Sequence, residues 1–294
     1  MNGLQSTTWH ASTSRLWRYA QRERTISTNY RHWFRMSDPI FVSRDGAIAT
    51  VTLNNPERLN ALNRAMWAGL GESMRQLSAD DALRCVVVRG AGDKAFAAGA
   101  DIAEFATERA GLRQAKQYGA IIHETMQAVA RCRHPTVALI QGACVGGGLE
   151  IAAMCDLRVA GQSSRFGIPV NRLGLTMAYG ELMGLLALVG RAVALEILLE
   201  GRVFDAEEAY HKGLVNRVVP DDKVEAEAYA MAHRIADGAP LVNRWHKQFI
   251  ERLAVTAKLS PEEWDEGFAC FDSSDYKEGV AAFLEKRKPD FKGR

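Results

Sequence analysis

Thr136-Val137-Ala138-Leu139-Ile140, followed after a short connection by Gly146-Gly147-Gly148-Leu149-Glu150, is the stretch whose reading decides the fold. The first five residues form an unbroken run of apolar and β-branched side chains, as in a strand buried on both faces. The glycines then open a segment of helical character, Ile151-Ala152-Ala153-Met154. A helix start leaves backbone N–H groups without intrahelical partners at the positive end of the dipole, where negative charge is stabilised. The same arrangement occurs upstream, where Cys85-Val86-Val87-Val88 leads to the loop Phe96-Ala97-Ala98-Gly99-Ala100-Asp101. Side chains in both loops are absent or a single methyl, so an anion can approach the backbone closely. Two such loops, with the carboxylate of Glu150 just beyond the last glycine, suggest an oxyanion hole beside an acid/base group.

Working outward, strands and helices alternate, which is the pattern of an α/β fold. Ile48-Ala49-Thr50-Val51-Thr52-Leu53 reads as a strand closed by the turn Asn54-Asn55-Pro56, and Met66, Leu70, Met74 and Leu77 carry helical spacing. A long helix is expected around 113–131, a short strand at 157–160, an extended piece from Phe166, and helix again after Ala178. Beyond Pro220 the chain reads as almost purely helical, with amphipathic stretches at 222–236 and 241–258. The expected organisation is a layered α/β core over 37–220 followed by a helical region over 221–294.

The composition, 47% apolar and 24% charged, is that of an ordinary globular chain. The longest apolar run, Leu182 to Val189, is well short of the roughly 18 residues of a membrane span, so no membrane partner is expected. Five scattered cysteines (Cys85, Cys132, Cys144, Cys155, Cys270) in mostly apolar surroundings read as reduced, buried thiols rather than disulfides or a metal site. Residues 1–36 hold six arginines and one acid, for a charge of +5, and leave the remainder at −3. This Arg-rich leader reads as disordered. It resembles a transit peptide, a basic binding arm, or an upstream extension before Met36. A cytoplasmic location is expected, with the mitochondrial matrix as the alternative if the leader is a transit peptide. Nucleic acid is not the expected partner.

The motifs, in order, are Arg58-Leu59-Asn60-Ala61-Leu62, Lys94 to Ile102, Gly146 to Glu150, and Gly213-Leu214-Val215-Asn216-Arg217-Val218-Val219-Pro220, with Phe283-Leu284-Glu285-Lys286-Arg287-Lys288 near the C-terminus. Together they make the chain resemble the crotonase (enoyl-CoA hydratase/isomerase) superfamily from about residue 40 to the end. The resemblance implies a spiral of ββα turns, a helical trimerisation region giving a homotrimer or homohexamer, and an acyl-CoA or enoyl-CoA thioester as substrate. Coenzyme A enters as part of that substrate, and no prosthetic group is implied. The thioester oxygen becomes an enolate-like oxyanion held by the N–H groups of Ala100 and Gly147, with Glu150 as the acid/base. The segments around Arg58, Asn60 and Ala61 and around Ala98, Gly99, Asp101 and Ile102 are matched to coenzyme A binding. Gly146, Pro169 and Val170 flank the acyl group, and Phe283 and Lys286 are matched to the nucleotide.

The chain departs from the family pattern at Val170 and at Ala103. The family's hydratases have a second glutamate directly after the proline of Phe-Gly-x-Pro, where Phe166-Gly167-Ile168-Pro169 is followed here by Val170. Hydration needs one group to activate water and another to protonate carbon, and valine does neither. A single carboxylate suits proton shuttling, yet the family's double-bond isomerases keep theirs at the position of Val170. Decarboxylation, C–C lysis and a catalytically weak acyl-CoA- or nucleic-acid-binding relative stay open alongside. Glu181, in Tyr179-Gly180-Glu181-Leu182, reads as an auxiliary acid/base or as a capping or surface carboxylate. Tyr179 and Met177 read as pocket-shaping, and the histidines as surface or core residues. Ala103 stands where many members carry a lysine near the coenzyme phosphates.

Overall fold

Short apolar strands separated by amphipathic helices build two sheets at once. The computed structural model describes residues 38–294 apart from Ala257, so the leader expectations lie outside the described residues. The chain starts with the hairpin β1 (Ile40–Asp45) and β2 (Ile48–Leu53), then α1 (Arg64–Ala79), β3 (Cys85–Gly90) and β4 (Ala95–Ala97). The short α2 (Phe105–Glu108) and long α3 (Leu112–Ala130) follow, then β5 (Thr136–Ile140), β6 (Ala143–Val145) and α4 (Gly147–Met154). Next come β7 (Leu157–Gly161), β8 (Arg165–Gly167), α5 (Tyr179–Glu200), β9 (Phe204–Asp205), α6 (Ala206–His211) and β10 (Arg217–Val219). The C-terminal part is α7 (Val224–Ala236), α8 (Pro240–Val255), α9 (Pro261–Glu266) and α10 (Ser274–Leu284).

One sheet runs β1-β2-β3-β5-β7-β10, parallel except for the β1–β2 hairpin, and the other runs β4-β6-β8-β9 with only the β8–β9 pair antiparallel. Each successive pair (β3 and β4, β5 and β6, β7 and β8) gives one strand to each sheet before the chain turns to helix. This is the ββα spiral. The sequence reading places only a short connection between strand 136–140 and the glycine loop; β6 occupies that connection, as β4 stands before the first loop. Three-residue strands carry too few residues for a period to show.

Residues of β3 alternate between two cores. Val86 and Val88 pack with α1 and α3 residues, while Cys85 and Val87 pack with Val224, Ala228 and Met231 of α7. Both faces of the sheet are therefore covered, which is why these strands read as continuous apolar runs. The first helix of the C-terminal part thus closes the sheet. Four of the cysteines are buried, and all five are free thiols.

Helix α5 is long and apolar enough to cross a membrane by length and composition, with a mean hydropathy of 2.1 and few of its residues buried. Gly190, at φ 70° and ψ 174°, breaks it into two helical segments. Each is about 16 Å long at 1.5 Å per residue, roughly half of a 30 Å hydrocarbon core. Its exposed Tyr179, Met183, Leu186 and Leu199 form an apolar surface on the described chain.

Candidate active site

The site grows from the point where β4 and β6, neighbours in the smaller sheet, release their loops side by side. A Cβ placed on Gly99 would lie 3.3 Å from the Val145 carbonyl oxygen and 3.9 Å from Gly146 Cα, so the two loops are in contact. Gly99 has φ 106°, and Gly146 has φ 52° with ψ −122°, both conformations that side-chain-bearing residues rarely adopt. The glycines are needed for the turn and for the approach.

The Arg58–Leu62 segment braces the first loop. Ala98 N–H donates to Leu59 O at 3.0 Å, Leu62 N–H to Gly99 O at 2.7 Å, and Asp101 N–H to Leu62 O at 2.9 Å. The last two make a parallel bridge between Leu62 and Ala100. In that geometry the N–H of Ala100 itself points away from Leu62, leaving it outside the bridge. Gly147 opens α4, so its N–H has no acceptor within the helix. Both amides sit on contacting loops, and the Gly147 amide lies at a helix N-terminus, where negative charge is favoured.

Glu150 lies in the first turn of α4 and is only 7% exposed. Burial, reinforced by the charge of Glu181 and opposed by that of Arg109, pushes its carboxyl up to about 8. Glu181, in the first turn of α5, accepts the Ala178 N–H on Oε2 at 2.7 Å and so caps that helix. Burial raises its carboxyl too, while the Ala178 amide, Arg109 and His123 pull it down. Helix α5 packs against α4, and the charge of Glu181 reaches the Glu150 carboxyl. Val170 sits in the 3-10 turn Pro169–Leu173, half-buried against the main core.

Other residues singled out from sequence fall into three groups. Arg58 pairs with Asp101 at 2.8 Å, tying the two matched segments together at the surface beside the exposed Ile102. Asn60 is buried, with its amide donating to Ala91 O and Ala95 O and its oxygen accepting from Asn55 N–H. Its side chain is committed to shaping the loop, and Ala61 follows it on the same brace. Phe283, 83% exposed, lies in the last turn of α10 and Lys286 just beyond it, and this helix packs against the 3-10 turn Ala269–Asp272 rather than against α4. There Phe283 lines an apolar groove of about 470 Å³ with Val242, Tyr276, Val280 and Phe291. Met177 is buried, whereas Tyr179 is 89% exposed.

Arg109 and His123 were not singled out as site residues from the sequence. Arg109 ends α2 and His123 lies in the middle of α3, and neither falls in a motif or on a marked periodic face. Among the described residues, no group of three or more His, Cys, Asp or Glu side chains is arranged to hold a metal ion.

The arrangement has known counterparts. The family model for enoyl-CoA hydratase/isomerase matches residues 43–294. The short-chain-enoyl-CoA hydratase of Clostridium acetobutylicum is 32% identical over 261 residues, covering 87% of this chain and 98% of the relative. The 2,3-dehydroadipyl-CoA hydratase of Escherichia coli is 34% identical over 263 residues, covering 87% and 99%. A crystal structure of an enoyl-CoA hydratase/carnithine racemase from Magnetospirillum magneticum superposes with a TM-score of 0.88 at 51% identity, covering 91% of this chain and all of that one. The spiral, the paired loops and the match along nearly the whole described chain lead to one conclusion: the chain belongs to the enoyl-CoA hydratase/isomerase family and is an enzyme of that type, with the crotonase fold.

Proposed function

We propose that the chain adds water across the double bond of an enoyl-CoA thioester, using the N–H groups of Ala100 and Gly147 as the oxyanion hole and Glu150 and Glu181 as the working carboxylates. The observation that carries this reading is the second carboxylate. Helix α5 packs against α4, and the charge of Glu181 in its first turn raises the affinity of the buried Glu150 for a proton, which supports a second carboxylate in place of the one absent at Val170. Two interacting carboxyls with unequal surroundings divide into a proton donor and an acceptor. The thioester oxygen would receive the two amides as negative charge develops, a contribution worth roughly 10²–10³ in rate for each donor. Coenzyme A is read as leaving the site over the Arg58–Asp101 surface, with Phe283 and Lys286 meeting the nucleotide from a neighbouring copy. A trimer or hexamer is inferred because α5 and α10 expose Met183, Leu186, Leu199, Phe283 and Leu284 to solvent in a single copy.

A second reading, isomerisation of an enoyl-CoA through Glu150 alone, is favoured by Val170. Incubating the purified protein with a panel of enoyl-CoAs and reading products by mass separates the two. Hydration adds the mass of one water and removes the conjugated thioester absorbance, whereas isomerisation leaves the mass unchanged. Unchanged mass with every substrate would overturn the hydratase reading.

A further inference from the structure

Asn60 is buried in the segment that braces the first glycine loop, in a backbone conformation that few residues hold. It is left-handed at φ 56°, directly after Leu59 at φ 52° and ψ 37°. Asparagine tolerates that region better than most residues with a side chain. Two consecutive left-handed residues turn the chain sharply between the 3-10 turn Pro56–Arg58 and Leu62. Asn55 closes this turn from the other side. Its carbonyl accepts the Asn60 N–H at 2.8 Å, and its Nδ2 donates to Ala61 O at 3.0 Å.

The carboxamide of Asn60 joins three segments. Oδ1 accepts the Asn55 N–H at 3.0 Å, while Nδ2 donates to Ala95 O at 2.8 Å and to Ala91 O at 3.0 Å. Both amide protons are thereby used. Aspartate offers no donor and serine only one, so a side chain this short meets the pattern only as asparagine. Gly90, at the end of β3, leaves the room, since a Cβ there would stand 2.6 Å from Nδ2. Ala95 opens β4, the strand that runs into the loop 98–101. The contacts continue along that loop. Leu59 O takes the Ala98 N–H, and Leu62 bonds to Gly99 and Asp101 on either side of Ala100. Residues 59–62 thus hold β4 and its loop at positions 95, 98, 99 and 101, and the contact at 95 is made by the Asn60 side chain.

We propose that Asn60 is a positioning residue for the oxyanion hole, its carboxamide fixing β4 against residues 59–62 so that the Ala100 N–H is aimed at the thioester oxygen. This rests on the reading of Ala100 as an oxyanion donor. Asn60 acts on the reaction only through that amide. The Arg58–Asp101 pair and the Leu62 bridge do not depend on its side chain, so without it the loop keeps its place and loses its alignment. Binding of the substrate should then survive while transition-state stabilisation falls.

The test compares wild type with Asn60→Gly and Asn60→Asp, each checked for folding by thermal melting. Glycine keeps the left-handed backbone and adds no charge, whereas aspartate keeps the shape and the acceptor but lacks the donors. The first readout is kcat and KM with the enoyl-CoA that wild type turns over fastest. The second is the pH at which half of the bound acetoacetyl-CoA, a β-keto thioester, is enolate, followed by its ultraviolet absorbance. Removing a whole oxyanion donor costs roughly 10²–10³ in rate. Misaligning one should lower kcat about tenfold to a hundredfold with KM within about threefold of wild type, and should raise the enolate midpoint by about 1–2 pH units. A folded Gly variant with wild-type kcat and midpoint overturns the inference, as does a loss of kcat with the midpoint unmoved or a rise in KM alone. A shift confined to the Asp variant is an effect of its charge and overturns it equally. If neither variant folds, Asn60 serves the fold as a whole, and the inference falls. Wild-type protein that leaves the enolate midpoint at its value in water sinks the oxyanion hole itself, whereas a shifted wild type beside unshifted variants sinks only the role of Asn60.

Discussion

Replacing Gly147 by alanine and by proline separates the role of its N–H from that of its size. A Cβ at this position would stand 2.9 Å from Trp67 Cζ2 and 3.0 Å from Leu62 Cδ1, and both side chains are fully buried. Overpacking of this kind costs about 1–3 kcal/mol. Alanine recovers up to about 1 kcal/mol of helix propensity over glycine, leaving a net loss of roughly 0–2 kcal/mol. Proline meets the same contacts, but its backbone is accommodated: the first helical position tolerates it because that N–H has no helical acceptor. Gly146, at φ 52° and ψ −122°, holds the mirror image of the extended conformation that precedes proline, which is equally open to achiral glycine. The Pro variant should therefore fold about as well as the Ala variant while lacking the donor. Its kcat should fall a further 10²–10³-fold, roughly 2.7–4 kcal/mol of transition-state stabilisation. The assay is loss of the conjugated absorbance of an enoyl-CoA, run beside thermal melts of both variants. A folded Pro variant with turnover within threefold of the Ala variant would refute the oxyanion-hole assignment.

If Glu181 stands in for the carboxylate missing at Val170, Glu181→Gln should lose hydration by roughly 10²–10⁴, and adding Val170→Glu should restore at least tenfold of it; no recovery in a folded double variant argues that the 3-10 turn does not face the reacting carbon. Glu150 binds its proton more tightly folded than unfolded, so its stability contribution is complete below the ordinary carboxylate range and is lost as pH rises from about 4.5 to about 8. Glu150→Gln should consequently raise the melting temperature relative to wild type at pH 8.5 and change it little at pH 4.5, and an equal effect at both values counts against a buried, perturbed acid. Light scattering should give the mass of a trimer or hexamer for the full chain and the same number of copies after removal of residues 1–36, with turnover retained. A monomeric full chain defeats the assembly reading, and activity lost on truncation defeats the claim that the leader is dispensable.

Much of the fold was legible in the residues themselves. The apolar runs 48–53, 85–88 and 136–140 became strands because a sheet covered on both faces needs side chains that tolerate burial on either side. The glycine clusters marked the loops because side-chain-bearing residues rarely take the backbone of Gly99 and Gly146, and the candidate Glu150 followed from its place after them. The short strands β4 and β6 were harder to see, and β8 showed only as an extended piece from Phe166. Only pairing with one another makes three residues a strand, and that pairing crosses from one ββα turn to the next. The break at Gly190 also escapes a reading by composition, since a glycine within an apolar run looks the same whether or not the helix continues through it.

What the sequence by itself determined was the family, the spiral and the acid/base candidate, because those depend on local runs, glycines and motif order. Only the tertiary structure decided the electrostatics of the site. Arg109 from the end of α2 and Glu181 from α5 act on Glu150 of α4, and Arg109 and His123 of α3 act on Glu181. The protonation of the two carboxyls depends on how much water packing removes and on which charges are left near them, and neither is written in any one segment of the chain.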